Sequence, residues 1–345
     1  MGKKFTYAQS GVDINVADEA KKQIKKLVKQ TFTKGVMSEI GKFGGMYSGK
    51  FPGYKNPILV SSVDGVGTKL KVAVAMKKFD TVGIDLVNHC VDDILVHGAK
   101  ALFFLDYMGM AKTEPKKVSS IMKGFVKACK AEGCALVGGE TAQMPDVYSG
   151  EDLDLVGLIV GIVDKDKMLD GSKIKEGDKL IGLPSTGLHT NGYTLARKLL
   201  LEKKKLKPAK YIPELKNTLG AELLKPHRSY SKAVFALLKK YNIHGLAHIT
   251  GGGFRDNLPR VLPKKIGVRI YKESFPVLPI FSLIQRLGNI EDSEMYRTFN
   301  MGIGMVIMVS GKDADRVMSD LKKMKEKAYF IGEAVEFTGT KVALI

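Results

Sequence analysis

Short apolar runs of strand length alternate with amphipathic helical segments along most of the chain, and this alternation limits the folds open to it. We predict strands at Pro57–Val63, Ala101–Asp106 and Leu155–Val163, where β-branched, aromatic and other apolar residues dominate. Residues 85–97 and 115–132 repeat apolar side chains at helical spacing. The pattern predicts sheets covered by helices, in an α/β or α+β arrangement.

The second half of the sequence repeats this alternation after a charged, turn-rich segment at Gly171–Asp178. We predict a helix at Ala314–Lys325 and strands at Lys179–Leu183, Leu246–Thr250, Met301–Val309 and Ala328–Val335. A length of 345 residues is that of about two domains. We therefore expect an N-terminal domain at residues 1–170 and a C-terminal domain at residues 171–345.

Lysine makes the chain strongly basic. There are 55 Lys and Arg residues against 36 Asp and Glu residues, which gives a formal net charge of +19. No Arg precedes Arg197. Arg is the residue best suited to bind a phosphate through two hydrogen bonds and to recognise the edges of bases. We therefore expect a solvated lysine surface and no nucleic-acid partner. A non-catalytic nucleic-acid binder is the alternative from another class, and its binding would weaken steeply with salt.

Cysteine content and hydropathy indicate the cellular compartment of the protein. Cys90, Cys129 and Cys134 are an odd number without a Cys-x-x-Cys pair, which favours a reduced compartment. The longest apolar stretches, Leu155–Val163 and Met301–Val309, are too short to span a bilayer. The first residues carry no apolar signal region. We expect a cytoplasmic protein without a membrane partner.

A glycine-rich segment, Asp64-Gly-Val-Gly-Thr-Lys69, directly follows the first predicted strand. An Asp at a strand end can bind Mg²⁺, because this ion prefers oxygen ligands. Glycine amides can close on phosphate oxygens, and Lys69 could neutralise a phosphate. A tight turn with an exposed Asp explains the same residues equally well.

Further carboxylates could complete a magnesium site with Asp64. Asp92 and Asp93 are adjacent on the helix predicted at 85–97, and Glu140 follows another predicted strand in Gly138-Gly139-Glu140-Thr141. Adjacent carboxylates repel unless a cation or solvent screens them. Asp64, Asp93 and Glu140 would form a plausible Mg²⁺ cluster, while a solvated helix face is the alternative for the Asp pair.

His89 and His97 lie on similar faces of the same predicted helix. Zinc would require closer spacing and a third ligand, so we expect these two histidines to be buried or hydrogen-bonded.

Two histidine-containing turns in the second half suggest an anion or substrate site. Gly187-Leu-His-Thr-Asn-Gly192 precedes a predicted helix, which Thr190 or Asn191 could cap, and a helix N-terminus attracts anions. His189 is a candidate for hydrogen bonding or proton transfer. His248-Ile-Thr-Gly-Gly-Gly253 repeats the arrangement at a strand end. A simple capped turn is the alternative for the first segment.

Taken together, eight segments resemble the phosphoribosylformylglycinamidine cyclo-ligase family, also called aminoimidazole ribonucleotide synthetases. They occur in the family's order, and the resemblance extends from residue 7 to about 333. The segments are Tyr7–Asp13, Ser62–Lys69, Gly83–Val87, Leu102–Tyr107, Leu136–Ala142, His189–Tyr193, Ala247–Phe254 and Glu294–Asn300.

The resemblance implies a fold and a reaction. The fold has an N-terminal α/β domain, which pairs across a homodimer into a closed, barrel-like sheet, and a C-terminal α+β sheet covered by helices. The implied enzyme is a ligase of purine biosynthesis that uses ATP and Mg²⁺, with a monovalent cation as a further candidate. It closes the ring of formylglycinamidine ribonucleotide, its small-molecule substrate, through an iminophosphate and releases aminoimidazole ribonucleotide, ADP and phosphate. Phosphoryl transfer of this kind needs positioning and charge neutralisation more than a protein nucleophile.

The resemblance also implies site residues. The metal ligands are Asp64, Asp93 and Glu140. The nucleotide contacts are Gly65, Gly67, Thr68, Lys69, Asp93, Gly138, Gly139, Glu140 and Thr141. The substrate contacts are Thr186, Gly187, Asn191, Gly192, Thr250, Gly251, Gly252 and Gly253. The catalytic candidates are Asp64, Lys69, His189 and His248.

The chain departs from the family at a few positions. Ala8 replaces a Lys, Asp92 replaces an Asn, His97 stands where Gln is usual, and Met108–Lys112 differs from the family's segment. The departure at Ala8 leaves a catalytically inactive relative, which would bind ATP without cyclising, as one alternative. The others are sister families: formylglycinamidine synthetase, selenophosphate synthetase, thiamine-monophosphate kinase and a hydrogenase-maturation protein. Selenophosphate synthetase has a reactive Cys or selenocysteine near its N-terminus, whereas the first Cys here is Cys90.

Overall fold

The first of two main sheets is built from the N-terminal half of the chain. The computed structural model describes residues 23–345. The strands are β1 Pro57–Gly65, β2 Lys100–Met110, β3 Ala135–Gln143 and β4 Leu153–Asp164, in the order β1-β4-β2-β3. β4 is antiparallel to β1 and β2, whereas β2 and β3 run parallel. The sheet is therefore mixed.

Three helices contribute to the core beside this sheet: α1 Lys69–Met76, α2 Val82–Leu95 and α3 Pro115–Glu132. The predicted apolar faces of α2 and α3 are buried, as at Leu86 and Phe125. α2 and α3 approach closely at Gly83, where a Cβ atom would lie 2.4 Å from the carbonyl oxygen of Ile121. Pro115 occupies the first turn of α3, where its missing N–H leaves no bond unmade.

The other face of the first sheet presents apolar side chains to solvent. Along β1 the residues alternate, and Leu59 and Val63 are 57% and 59% exposed. Leu158 on the neighbouring β4 is also exposed. Contiguous apolar side chains on a sheet face are typical of a surface that another element or chain covers.

The second sheet has the order β12-β9-β11-β5-β10-β8. Its strands are β5 Lys179–Pro184, β8 Ile243–His248, β9 Ile266–Ile270, β10 Ile303–Val309, β11 Tyr329–Glu336 and β12 Val342–Leu344. Only the β12–β9 pair among these is parallel. Every residue of β10 is buried, so this strand is covered on both faces. Helices α6 Ser231–Leu238 and α10 Gly311–Lys323 contribute Leu237, Val317 and Leu321 to the core on one side.

Shorter elements connect the strands of the second half. They are α4 Tyr193–Arg197, which continues as a π-helix at Lys198–Lys203, the strand pair β6 Tyr211–Ile212 and β7 Asn217–Thr218, and the helices α5 Leu219–Leu223, α7 Gly253–Asn257, α8 Pro279–Gly288 and α9 Asp292–Thr298. Within residues 23–345, no helix combines the length and the apolar character that a membrane span requires.

The predicted strands and helices are confirmed in type, with one difference at β3. The sequence predicts a short strand at Ala135–Val137 that ends in a glycine-rich turn at Gly138–Thr141, but β3 continues to Gln143. Pairing with β2, from Leu105–Gly138 to Met110–Gln143, keeps these glycines extended. Apolar residues at helical spacing also predict a helix at Ala17–Thr31. Residues 23–28 are helical and lead into a 3₁₀ turn at Lys29–Thr31, while residues 17–22 lie outside the described part.

The first sheet uses residues 57–164, and the second uses residues 179–344. A domain boundary at residue 171 stays a prediction. The segment Tyr7–Asp13, with Ala8, lies outside the described residues.

Candidate functional site

A cavity of about 460 Å³ lies where the first sheet meets the second. β1 contributes Ser62 and Asp64 to its wall, and α2 contributes His89 and Asp93. His248, at the end of β8, faces them from the second sheet. Residues that are 159 positions apart in sequence, from 89 to 248, therefore share one wall.

Two carboxylates are held at this wall by histidines. His89 Nε2 lies 2.8 Å from Asp64 Oδ2, and His248 Nδ1 lies 2.9 Å from Asp93 Oδ1. Ser62 Oγ donates to Asp93 Oδ2 at 2.9 Å. Burial, the largest single influence, raises the pKa of each carboxyl, but the hydrogen bonds and charges of the histidines, with further bonds from the Gly65 amide and Ser62, together lower the net pKa of Asp64 and of Asp93. Both groups are therefore ionised at neutral pH.

Behind the carboxylates, imidazoles and one hydroxyl form a connected layer. His89 Nδ1 lies 2.6 Å from Thr190 Oγ1, and His227 Nδ1 lies 3.4 Å from the same oxygen. His227 Nε2 is 3.1 Å from His248 Nε2. Asp64 is thus connected to Asp93 through three imidazoles and Thr190. The prediction that His89 is buried and hydrogen-bonded is confirmed, and His97 also bonds, to the carbonyl oxygen of Leu169.

The donor set at this wall fits Mg²⁺. Asp64 and Asp93 supply ionised oxygens, and Ser62 adds a hydroxyl oxygen. The Asp64 and Asp93 side chains remain 42% and 24% exposed, so they are accessible from the cavity. The structure brings together two of the three predicted metal ligands.

Glu140 lies away from the other two predicted ligands. The strand register gives the separation across the sheet. Asp64 on β1 lies opposite Gly157 on β4, which lies opposite Asp106 on β2, and Asp106 lies opposite Gly139 on β3. Asp64 is therefore three strand spacings from Gly139. At the usual strand spacing this is about 14 Å. Within one chain, the predicted cluster of Asp64, Asp93 and Glu140 is therefore wrong, because β4 and β2 separate its members.

Gly138, Gly139, Glu140 and Thr141 instead line a second cavity of about 950 Å³. Its wall also includes Lys25 and the glycine-rich residues 41–45. Asp106 reaches this cavity from β2, and burial raises the pKa of its carboxyl to about 7.

Lys69 was expected at a phosphate, but the structure buries its side chain completely. Its Nζ donates to Asp85 Oδ1 at 2.8 Å and to the carbonyl oxygens of His189 and Lys225 at 3.0 and 2.7 Å. All three ammonium hydrogens are therefore used within the protein. The predicted phosphate contact of Lys69 is wrong in this arrangement, because α1 directs it into the core.

Gly65, Gly67 and Thr68 connect β1 to α1. The Gly65 amide donates to Asp64 Oδ1 at 2.6 Å, and Thr68 Oγ1 lies 3.0 Å from Thr194 Oγ1. None of the three lines either cavity described above, so their phosphate contacts stay predictions.

Asp92 points away from Asp93. Its side chain is fully buried, and its Oδ1 accepts the Tyr230 amide at 3.0 Å. Burial raises the pKa of Asp92 well above its usual value. The solvated helix face expected as an alternative is therefore wrong for this residue. Asp92 replaces an Asn of the family, which predicts one more carboxylate near the metal, but its side chain does not line the first cavity.

His189 is buried between the two halves and does not line either cavity. Its ring stacks on His227 at 4.0 Å, and its Nε2 accepts the Thr186 amide at 3.1 Å. Burial lowers the pKa of His189 well below its usual value. It is therefore a neutral packing residue, and the expectation of proton transfer to substrate is not supported by its position.

The remaining predicted substrate residues divide into two groups. Asn191, Thr250 and Gly251 line the first cavity, whereas Thr186, Gly187, Gly192, Gly252 and Gly253 do not. The helix cap expected from Thr190 or Asn191 is wrong, because Gly192 occupies the cap position without a side-chain bond. Thr190 instead joins His89 to His227.

Sequence reasoning missed His227 and Arg260. His227 lies in a Lys-Pro-His-Arg segment without a recognisable motif. Among residues 23–345, Arg260 is the only Lys or Arg that lines the first cavity. The spacing of His89 and Asp93, four residues apart on a helix, was a signal that they share a face.

Sequence profiles and relatives identify the family. The AIR synthase related protein N-terminal domain matches residues 54–163, and the corresponding C-terminal domain matches residues 175–345. A phosphoribosylformylglycinamidine cyclo-ligase of Acetivibrio thermocellus is 52% identical over 330 residues, which is 96% of this chain and 97% of the relative. One from Thermoanaerobacter sp. strain X514 is 51% identical over 335 residues, which is 97% of this chain and 99% of the relative.

Solved structures share the fold at low identity. A thiamine-monophosphate kinase from Stenotrophomonas maltophilia has a TM-score of 0.66 at 15% identity and covers 92% of this chain and 94% of its own. Escherichia coli HypE, a hydrogenase maturation protein, has a TM-score of 0.64 at 16% identity, with 93% and 92% covered. These two similarities concern the fold alone. The full-length identity to cyclo-ligases decides among the sister families, and the chain belongs to the phosphoribosylformylglycinamidine cyclo-ligase family of AIR synthase related proteins.

Proposed function

We propose that the chain catalyses the ATP-dependent cyclisation of formylglycinamidine ribonucleotide to aminoimidazole ribonucleotide, with release of ADP and phosphate, in purine biosynthesis. The observation that carries the proposal is identity above 50% to cyclo-ligases over almost the full length of both chains. The cavity between the two sheets, with its ionised Asp64 and Asp93, supports it.

The reaction needs an activated amide. An amide oxygen is a poor leaving group, so transfer of the γ-phosphoryl group to it gives an iminophosphate. The neighbouring nitrogen of the substrate then attacks the same carbon, and phosphate leaves with that oxygen. Such transfer is accelerated by alignment of the reactants and by stabilisation of charge in the transition state.

Asp64 and Asp93 would hold Mg²⁺ at the cavity wall, where the ion neutralises the phosphate oxygens when bound. His89 positions Asp64, and His248 together with Ser62 positions Asp93. These contacts keep both carboxylates ionised and fix their orientation. We assign His248 this positioning role.

Arg260 is a cationic side chain at the first cavity and is proposed to bind the substrate's phosphate group. Asn191, Thr250 and Gly251 are proposed to contact the substrate beside it. Within one chain Gly138, Gly139, Glu140 and Thr141 line the second cavity, away from Asp64 and Asp93, so their contacts with the nucleotide stay a prediction. Lys69 is not among the proposed phosphate ligands, because its three ammonium hydrogens are donated within the protein.

We further propose that the enzyme acts in the cytoplasm as a homodimer. The exposed apolar face of β1 and β4, at Leu59, Val63 and Leu158, is the surface that a second copy would cover. A requirement for a monovalent cation stays a prediction.

The test is an assay with purified protein, Mg²⁺, ATP and formylglycinamidine ribonucleotide. We expect aminoimidazole ribonucleotide and ADP to appear in equal amounts. ATP hydrolysis without the aminoimidazole product would contradict the proposal and favour the chemistry of a sister family. Asp64→Asn should lower turnover at least 100-fold, whereas Asp315→Asn, an exposed Asp on α10, should leave it unchanged.

A further inference from the structure

His227 lies behind the wall of the first cavity and does not line it. It belongs to the second half of the chain, but α2 holds its backbone. Its amide donates to Asp85 Oδ1 at 2.6 Å, and its carbonyl oxygen accepts from Asn88 Nδ2 at 2.7 Å. Its buried ring stacks on His189 with an angle of 25° between the planes. The position and the plane of the His227 ring are therefore fixed from both halves of the molecule.

The facing nitrogens of His227 and His248 restrict where their hydrogens lie. The two Nε2 atoms are 3.1 Å apart, so one of them donates and the other accepts. His248 Nδ1 lies 2.9 Å from Asp93 Oδ1, and this nitrogen carries a hydrogen because an ionised carboxylate only accepts. A neutral imidazole has one N–H, which leaves a lone pair on His248 Nε2. The donor between the two rings is then the Nε2–H of His227.

The other contacts of the His227 ring agree with a hydrogen on Nε2. Asp92 Oδ2, which has no hydrogen-bond partner among residues 23–345, lies 3.5 Å from this nitrogen. Thr190 Oγ1 lies 3.4 Å from His227 Nδ1 and can donate its hydroxyl hydrogen to a lone pair there. Burial lowers the pKa of His227 well below its usual value, so the ring is neutral and has a single N–H.

The tautomer of His248 has a consequence for Asp93. If the hydrogen of His248 were on Nε2 instead, its Nδ1 lone pair would face Asp93 Oδ1 at 2.9 Å, and the two would repel. The hydrogen bond from His248 would be lost, while the one from Ser62 to Oδ2 would remain. The Asp93 carboxylate would then turn away from its present orientation at the cavity wall.

We propose that His227 is a positioning residue of the cyclisation: its Nε2–H holds His248 in the Nδ1–H tautomer, and His248 thereby orients Asp93. The effect on catalysis rests on the proposed function. The tautomers, in contrast, are measured on the protein without nucleotide, substrate or metal, so the two proposals can fail separately.

Nitrogen NMR of the full chain tests the tautomers directly. The protein is labelled with ¹⁵N at its six histidines and freed of metal with a chelator. The chemical shift of an imidazole nitrogen distinguishes an N–H from a lone pair, and the signals of each residue are identified by their loss in His248→Gln and His227→Gln. We expect Nδ1–H in His248 and Nε2–H in His227. A hydrogen on His248 Nε2, alone or together with one on Nδ1, would overturn the proposal.

Two substitutions separate the donor from the space that the His227 ring fills. His227→Met removes the donor, and His248 should then lose its preference for the Nδ1–H tautomer. His227→Gln keeps an N–H near the place of Nε2 and should preserve that preference. An unchanged His248 tautomer in His227→Met would overturn the role of His227.

The same variants should differ in turnover. His227→Met should lower kcat at least about 10-fold, as for other residues that orient a ligand through a hydrogen bond, while the KM for formylglycinamidine ribonucleotide changes less than about 2-fold. The KM is spared because His227 does not line the cavity. His227→Gln should recover most of the lost kcat. Equal losses in the two variants would make His227 a packing residue and overturn the proposal.

A control variant separates this effect from a general loss of stability. His244→Met removes another buried imidazole, from the same strand as His248, together with its 2.6 Å contact to Asp178. Its kcat should equal that of the wild type. If His227→Met does not fold, the spectra of the wild type and of His227→Gln still decide the tautomers. If those spectra are as expected but no aminoimidazole product forms, the proposed function fails and the tautomer assignment stands.

Discussion

Lys69 Nζ lies 2.8 Å from Asp85 Oδ1, and both side chains are completely shielded from solvent. The pair joins α1 and α2, and it extends to the second half through the His189 and Lys225 carbonyl oxygens and the His227 amide. Lys69 therefore links the two halves of the molecule.

Lys69→Met should reduce the free energy of unfolding by about 3–5 kcal/mol, because Asp85 would be left as a buried, unpaired charge. Lys71→Met, at an exposed pair with Asp152, should change it by less than about 1 kcal/mol. Adding Asp85→Asn to Lys69→Met should recover part of the loss. Urea unfolding followed by circular dichroism measures the stability of all three variants. If Lys69→Met kept the wild-type stability and raised the KM for ATP, a phosphate contact of Lys69 would be supported instead.

The pH dependence of stability should contain a contribution from Asp106. Burial raises the pKa of its carboxyl from 3.8 to about 7, with a smaller contribution from the charge of Glu140. Between about pH 4 and pH 7 the unfolded chain loses this proton while the folded protein retains it. The free energy of unfolding should therefore fall with rising pH in that window, by a few kcal/mol from this group, and stay level above it.

Asp106→Asn tests this contribution, because the amide cannot ionise. Urea unfolding at pH 5, 6, 7 and 8 should show a shallower decline in stability for the variant than for the wild type. Asp315→Asn, at an exposed position on α10, should keep the wild-type slope. Parallel wild-type and Asp106→Asn profiles would contradict a raised pKa in the folded state.

The spacing of apolar residues was enough to predict most helices and strands. In α2 and α3, for example, the apolar residues recur at helical spacing and form one buried face of each helix. The same local patterns were not enough for Gly138–Thr141, where pairing with β2 outweighs the tendency of glycine to form turns. The Asp64-containing motif indicated where ligands bind, but it could not indicate that Lys69 turns inward. That outcome depends on carbonyl oxygens more than a hundred residues away. The meeting of His89 with His248 is likewise a product of tertiary packing, which residue spacing does not encode.

Gly253 should be required for packing. Its φ is +56°, and a Cβ atom there would lie 2.0 Å from the carbonyl oxygen of Tyr296. Gly253→Ala should therefore lower the free energy of unfolding by about 2 kcal/mol or more, from backbone strain together with the clash. Gly44→Ala, where a Cβ meets nothing within 4 Å, should have little effect. Equal unfolding curves for the two variants would show that the turn after β8 relaxes at little cost.

The exposed face of the first sheet should hold two copies of the chain together. Light scattering during gel filtration should give a mass about twice 37.8 kDa for the wild type. Val63→Glu should shift the mass to that of one chain, because a buried, unpaired carboxylate opposes association. Tyr211→Glu, at a residue that is 58% exposed against 59% for Val63, should remain a dimer. A Val63→Glu protein that keeps the double mass would place the dimer contact on another surface, since the face made by Leu59, Val63 and Leu158 could not then be buried between the two copies.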